Sequence, residues 1–303
     1  MQYPKSLIVV VGPTAVGKTA MAIALANHYR TAIISADSRQ FYNEMSIGTA
    51  KPTAEELKQA NHYFINSHSI NDEYSAGDFE REALIKVSEL FKSNDHVIVV
   101  GGSGLFVRAL CEGLDDLPKA PDEVRAQLNE SLEKDGLIAL QERLRAVDPE
   151  NYEFMDYDNP QRVVRALEVY EATGHPISYY QKNQKQCREF NIITIGLNTD
   201  RAMLYDRINQ RVDLMMQQGL LEEVKSLAIH RNKPALLTVG YAELFDYLDG
   251  EISMEEAVAR IKQNSRRYAK RQITWFKKYG NTTWFEPNQF EKVVEFIDHQ
   301  VGQ

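Results

Sequence analysis

The sequence predicts an α/β fold: a parallel-sheet core of the P-loop NTPase-like kind, interrupted by a mainly helical insertion domain. Three observations predict it. Short β-branched runs alternate with helical patterns on both sides of residues 117–188. The first of these runs ends in a glycine-containing loop closed by Gly-Lys-Thr. Residues 117–188 themselves carry helical patterns but no strong strand.

The elements follow in order. Residues 6–11, SLIVVV, form a short continuous apolar run, the pattern of a parallel strand buried on both faces. A helix is predicted over Lys18–His28, with Met21, Ile23, Ala24 and Leu25 supplying its apolar surface. TAIISA (31–36) reads as a second strand ending at Asp37, followed by the polar stretch NEMSIGTAKPT. Residues 78–92 place Phe79, Ala83, Val87 and Leu90 at helical spacing. HVIVV (96–100) is a third strand and ends in GGSG. In the insertion, Pro121 and Pro160 suit first helical positions, Asn159 is an N-cap, and Gly174 ends its helix. NIITIGL (191–197) returns to the sheet. Helices are predicted over 200–218, closed by Gly219, and over 220–230, 241–249 and 253–279, with TTWF (282–285) as a last strand. The domains are thus 1–116 with 189–303 as core, and 117–188 as insertion.

A chain of 303 residues with 43% hydrophobic and 26% charged residues suits one or two soluble domains. The two cysteines, Cys111 and Cys187, make neither a disulfide framework nor a zinc-ligand spacing. The apolar part of MQYPKSLIVVVGPT is too short for a signal peptide, and no apolar run reaches membrane-spanning length. A cytoplasmic location without a membrane partner is expected. The net charge of −8 does not advertise a nucleic-acid binder, but distribution matters more than the total. Between Ala257 and Phe285 there is no acid, yet Arg260, Lys262, Arg266, Arg267, Lys270, Arg271, Lys277 and Lys278 give eight positive charges. Arg260, Arg267, Arg271 and Lys278 make one stripe of the helix; Val258, Ile261, Tyr268 and Trp275 make another that should pack inward.

Gly12-Pro13-Thr14-Ala15-Val16-Gly17-Lys18-Thr19 fits the phosphate-loop pattern, with a strand before it and a helix after it. Such a loop turns backbone N–H groups onto phosphate oxygens. Lys18 adds a point charge, and the Thr19 hydroxyl suits Mg²⁺. ATPases and GTPases of this class usually hold the metal with a carboxylate ending a neighbouring strand. VIVVGGSG ends without one, and the only acid closing an early strand is Asp37. A hydrolase therefore lacks a part, whereas an ATP-using small-molecule kinase remains allowed. Asp37, at the carboxyl edge of the sheet where ligands bind, suits a metal ligand or proton acceptor, or equally a turn-forming aspartate. GGSGLF (101–106) forms a third loop at the same edge. Its Ser103 suits a ligand bond, or the loop is an ordinary strand-to-helix turn.

Taken together, GPTAVGKT, DSRQFY (37–42), IGTAKPT (47–53) and GGSGLF resemble the tRNA dimethylallyltransferases, also called tRNA isopentenyltransferases. The resemblance continues through NPQRVVRALEVYEATG (159–174), LYDRINQRVDLMMQQGLLEEV (204–224), TVGYAEL (238–244) and RRYAKRQITWF (266–276), so it spans nearly the whole chain in order. It implies transfer of a dimethylallyl group from dimethylallyl diphosphate to the exocyclic amine of adenosine 37 of tRNA, with Mg²⁺ as cofactor and a monomeric enzyme. The phosphate loop would then hold a leaving diphosphate, for which a γ-phosphate-transfer acid is not needed. Asp37 is implied as general base, with Thr19, Ser103 and one of Arg207 and Arg211 in the catalytic set. The other arginine would pair with Asp206 or Asp213. Contacts to the tRNA anticodon stem-loop are implied for Asp37, Ser38, Arg39, Gln40 and Ser103, and for Gln161, Arg162, Val163, Val164 and Arg165. They are implied too for Arg125 and for Thr238, Val239, Gly240 and Tyr241; the eight uncompensated positive charges of the basic helix, Arg267 and Arg271 among them, point independently to tRNA phosphates. Three positions depart from the usual pattern: Ser103 replaces threonine, Phe106 replaces tyrosine, and Ala242 stands where a basic residue is common. The runner-up reading is a P-loop nucleotide or nucleoside kinase using ATP; a non-enzymatic RNA-binding protein would have no use for a base at Asp37.

Overall fold

Ser6–Val11 (β1) is buried along its whole length and pairs on both sides, which is why its sequence is apolar at every position but the first. In the computed structural model, which describes residues 5–153, 155–182 and 184–302, five further strands join it: Ile33–Ser35 (β2), His62–Tyr63 (β3), His96–Val100 (β4), Asn191–Leu197 (β5) and Thr282–Phe285 (β6). The first four residues of the N-terminal stretch read above lie outside the described residues. All pairs are parallel, in the order β3-β2-β4-β1-β5-β6. Alternate residues of β1 serve opposite faces: Ile8 and Val10 join one hydrophobic cluster, Leu7, Val9 and Val11 another.

The helices around this sheet are Lys18–His28 (α1), Ala54–Gln59 (α2), Ala76–Leu90 (α3) and Gly104–Glu112 (α4) before the insertion. Within the insertion lie Asp122–Val147 (α5), Pro149–Tyr152 (α6), Pro160–Thr173 (α7) and Ile177–Tyr180 (α8). After it come Arg201–Gln217 (α9), Leu220–Ser226 (α10), Ala242–Leu248 (α11), Met254–Lys278 (α12) and Phe290–Gly302 (α13). No helix among the described residues is long and apolar enough to cross a membrane.

The chain forms two compact units. One holds the sheet and comprises the chain through Glu112 and from Cys187 onward; the other is Gly113–Gln186. The second unit is built from helices around Leu128, Leu140, Leu144, Val163, Val164 and Leu167. Asn159 caps α7 as the sequence suggests: its Oδ1 accepts from the backbone N–H of Gln161 at 3.1 Å and Arg162 at 3.4 Å. Gly174 closes α7 with φ 72°. Pro121 precedes α5 rather than opening it, and Gly136 breaks α5 into two segments with φ 81°.

Where the chain re-enters the first unit, Arg188 fixes it. Its Nη2 donates to Glu80 at 2.7 Å and to the Ala109 carbonyl at 2.8 Å, while Nε donates to the Leu110 carbonyl at 3.0 Å. These are carbonyls near the C-terminus of α4, where a cation is favoured. Both side chains of the pair are largely buried. Arg188→Ala leaves the Glu80 carboxylate without this partner and is expected to cost about 3–5 kcal/mol of stability, measured by chemical denaturation.

Candidate active site

β2, β4 and β1 are neighbours in the sheet, so the three loops leaving their carboxyl ends emerge side by side. The first, Gly12–Thr19, needs glycine at its first position. Gly12 has φ 144°, and a Cβ there would stand 2.5 Å from the Leu197 carbonyl oxygen. The third loop presses on the second: a Cβ on Gly101 would meet the Ala36 carbonyl oxygen at 2.5 Å. Gln272 of α12 fastens the first loop to the third. It accepts from the Thr14 N–H at 2.8 Å and donates to the Gly102 carbonyl at 2.9 Å. Gln272 is a buried polar residue of α12 that the sequence reading missed; its signal is a glutamine within a buried helical stripe.

These loops line a cleft of about 990 Å³. Lys18 and Thr19 stand on its wall with Asp37, Ser103 and Arg211. The Lys18 ammonium donates to the Pro13 carbonyl at 2.8 Å. Burial lowers its pKa to about 8; Asp37 opposes that shift and Arg211 adds to it. Arg211 is itself held below the ordinary guanidinium value by burial, with Glu56 opposing. Arg207 is exposed and does not line the cleft. Of the two arginines one turn apart, Arg211 is therefore the one that faces the phosphate loop. The carboxylates suggested for the other are engaged elsewhere: Asp213 with Lys262 at 2.6 Å, Asp206 with Gln210 at 2.8 Å.

Asp37 forms a turn and also lines the cleft. One carboxylate oxygen accepts from the Arg39 N–H at 3.1 Å, the bond of an aspartate-led turn, while the residue lines the cleft. Ser103 Oγ accepts from the Ser38 N–H at 2.9 Å and lies 3.0 Å from the Ser38 hydroxyl. Tyr268, expected only to pack inward, reaches the same place. Burial pushes its phenol up to about 12, Asp37 adds to the rise, and a side-chain hydrogen bond with Ser103 opposes it. Gln40, Arg39, Thr238, Val239, Gly240 and Arg271 also line the cleft.

A family model described as IPP transferase matches residues 40–279. The chain belongs to that family. It is 50% identical over 297 residues to the tRNA dimethylallyltransferase of Christiangramia forsetii, covering 98% of each chain. It also resembles the crystal structure of the full-length tRNA isopentenylpyrophosphate transferase from Bacillus halodurans, with 37% identity and a TM-score of 0.72 over 98% of this chain and 97% of that one. A structure of a eukaryotic dimethylallyltransferase acting on tRNA gives a TM-score of 0.77 at 25% identity, over 95% of this chain and 75% of that one.

Several residues that the resemblance assigned to RNA have partners within the protein. Tyr241 is fully buried, and its hydroxyl donates to Glu223 Oε1 at 2.6 Å. Its ring is a packing element and offers no surface to a nucleic acid. Val163 and Val164 lie in the core of the second unit at 0% and 1% exposure, so their side chains make no RNA contact either. In that unit Arg125 and Arg165 converge on buried Glu168, at 3.2 and 3.1 Å, and Arg162 pairs with Asp156 at 3.2 Å. Gln161 is exposed. The basic helix is partly compensated: Glu256 of its own first turn and Asp246 of α11 hold Arg260, and Asp213 of α9 holds Lys262. Arg260, Arg267, Arg271 and Lys278 are all exposed along α12. Phe106 packs against Phe41 and Phe79 at ring distances of 5.5 and 5.6 Å, and Ala242 opens α11 on the cleft wall without a charge.

The donors suit a magnesium ion that keeps water and phosphate ligands. The Thr19 hydroxyl and the Asp37 carboxylate are hard oxygen donors on one wall, and no group of three or more His, Cys, Asp or Glu side chains forms a cage among the described residues.

Proposed function

We propose that the chain transfers the dimethylallyl group of dimethylallyl diphosphate to the N6 amine of adenosine 37 in tRNA and releases diphosphate. The observation that carries this reading is the meeting of a phosphate loop, Arg211 and Asp37 on one cleft of an IPP transferase. The apolar wall supports it. Leu105, Leu214 and Leu237 are 48%, 51% and 63% exposed and line the same cleft, a surface that suits a five-carbon allylic group.

In the reaction the allylic C–O bond breaks and a C–N bond forms to the adenine nitrogen, which gives up one proton. Negative charge gathers on the departing diphosphate. The loop N–H groups, the Lys18 ammonium and the Arg211 guanidinium meet that charge from fixed positions, the arrangement that does most in catalysis of this kind. Thr19 would hold Mg²⁺, which supplies further charge neutralisation of the leaving group. Asp37 accepts a hydrogen bond from the amine and takes its proton. The base reaches the cleft by leaving its stack, and Ser38, Arg39, Gln40 and Ser103 stand where it would be held. A monomer suffices, since cradle, base and basic stripe come from one chain, and work on tRNA fits a cytoplasmic location.

The test is radiolabelled dimethylallyl diphosphate incubated with bulk tRNA. Label in the RNA is the expected result; ATP turnover with unlabelled RNA would favour the kinase instead. The basic stripe makes a separate prediction. Arg267→Glu and Arg271→Glu each weaken RNA binding and flatten its dependence on log salt by about one unit or more, read by fluorescence anisotropy across a salt series. An unchanged slope removes α12 from the RNA contact.

A further inference from the structure

The sequence IGTAKPT lies at 47–53, far from α10, yet one carboxylate of α10 holds the start of that segment. Glu223 Oε2 accepts from the backbone N–H of Ser46 at 3.0 Å and Ile47 at 2.8 Å. Its Oε1 accepts from the Gly48 N–H at 3.0 Å and from the Tyr241 hydroxyl at 2.6 Å. Three successive backbone donors on one carboxylate make an anion nest filled by the protein itself. The fit leaves no slack: a Cβ on Gly48 would stand 2.5 Å from the Tyr241 ring.

The segment held this way is part of the cleft wall, from Ser46 through Thr53. It is tied in turn to the residues after β2. Gln40 Nε2 donates to the Thr49 and Ala50 carbonyls at 3.3 and 3.2 Å, and the Gln40 N–H donates to the Asp37 carbonyl at 3.1 Å. A continuous set of hydrogen bonds therefore runs from Glu223 through 46–50 and Gln40 to Asp37. None of its members belongs to the phosphate loop.

We infer that Glu223 is a positioning residue for the acceptor side of the reaction: its carboxylate, braced by Tyr241, holds segment 46–50 and through Gln40 the position of Asp37. The inference rests on the reading of the reaction given above. Glutamine at this position keeps the shape but brings one NH₂ against backbone N–H donors, so the nest loses charge and gains a repulsive contact. Donor binding at Gly12–Thr19 does not depend on the nest.

Two measurements test this. Hydrogen exchange of the Ser46, Ile47 and Gly48 amides in Glu223→Gln reads the anchoring without reference to any substrate, and faster exchange there with Gly12–Thr19 amides unchanged is expected. Steady-state kinetics with an anticodon stem-loop and dimethylallyl diphosphate then read the role. Glu223→Gln is expected to lower kcat/KM for the RNA roughly ten- to hundredfold with the KM for the diphosphate kept within about twofold, consistent with losing hydrogen bonds to a charged group. Tyr241→Phe removes one donor and leaves three, so it gives a smaller loss, and the double variant loses less than the two singles combined. A loss that disappears once rates are normalised to the folded fraction, read by circular dichroism and active-site titration, overturns the inference, as does unaltered RNA kinetics. A wild-type chain that transfers nothing would instead sink the reading of the reaction, and that control is read before any variant.

Discussion

Replacing Asp37 by asparagine lowers the single-turnover rate of transfer by about 10²–10⁴-fold while RNA affinity stays within a few fold. Asparagine is the discriminating substitution because Asp37 does two things. One oxygen accepts the Arg39 N–H at 3.1 Å and shapes the turn after β2. An amide oxygen preserves that bond and cannot take a proton from the adenine amine. Alanine loses both and is expected to fall at least as far. If asparagine restores near-normal turnover where alanine fails, the carboxylate is there for the turn and the proton leaves by another route.

Lys18→Ala is expected to lower kcat by about 10²–10³-fold, the usual consequence of removing one fixed charge facing a developing anion. Its protonation adds a pH signature. Burial holds the Lys18 pKa down to about 8, so the ammonium is present below that pH and is lost as pH rises through it. kcat/KM for the diphosphate donor therefore falls on the alkaline side of about 8. Bound diphosphate favours the charged lysine and moves the corresponding limb of kcat to higher pH. Lys18→Arg keeps its charge across this range and flattens the limb. A limb of unchanged position in the arginine variant would assign the titration to a different group.

The sheet and its loops were readable because parallel strands buried on both faces leave continuous apolar runs, and β1, β4 and β5 appear at the positions expected. Other elements left weaker marks. β3 has two residues, and α2 buries none, so neither produces a hydrophobic period. α4 follows GGSG so closely that its first turn reads as loop, and α13 went unread although Val293 and Ile297 are buried at helical spacing. The site divides the same way. Gly12–Thr19 announces itself by local spacing. Gln272, Tyr268 and Glu223 act at the cleft across long sequence separations, and their chemistry depends on partners that only the fold supplies. The same limit explains Tyr241, Val163 and Val164: a motif resemblance marks a segment as important without saying which of its side chains point inward. It also explains why α12 looked uncompensated, since Asp213 and Asp246 reach it from α9 and α11.

A crystal of the protein soaked with dimethylallyl diphosphate and ATP together tests most directly what the Gly12–Thr19 cradle holds. The predicted result is the diphosphate against Lys18, Thr19 and Arg211 with its five-carbon group pointing along the cleft toward Asp37. A nucleoside triphosphate seated in the cradle, with the allylic diphosphate absent from it, would contradict the account.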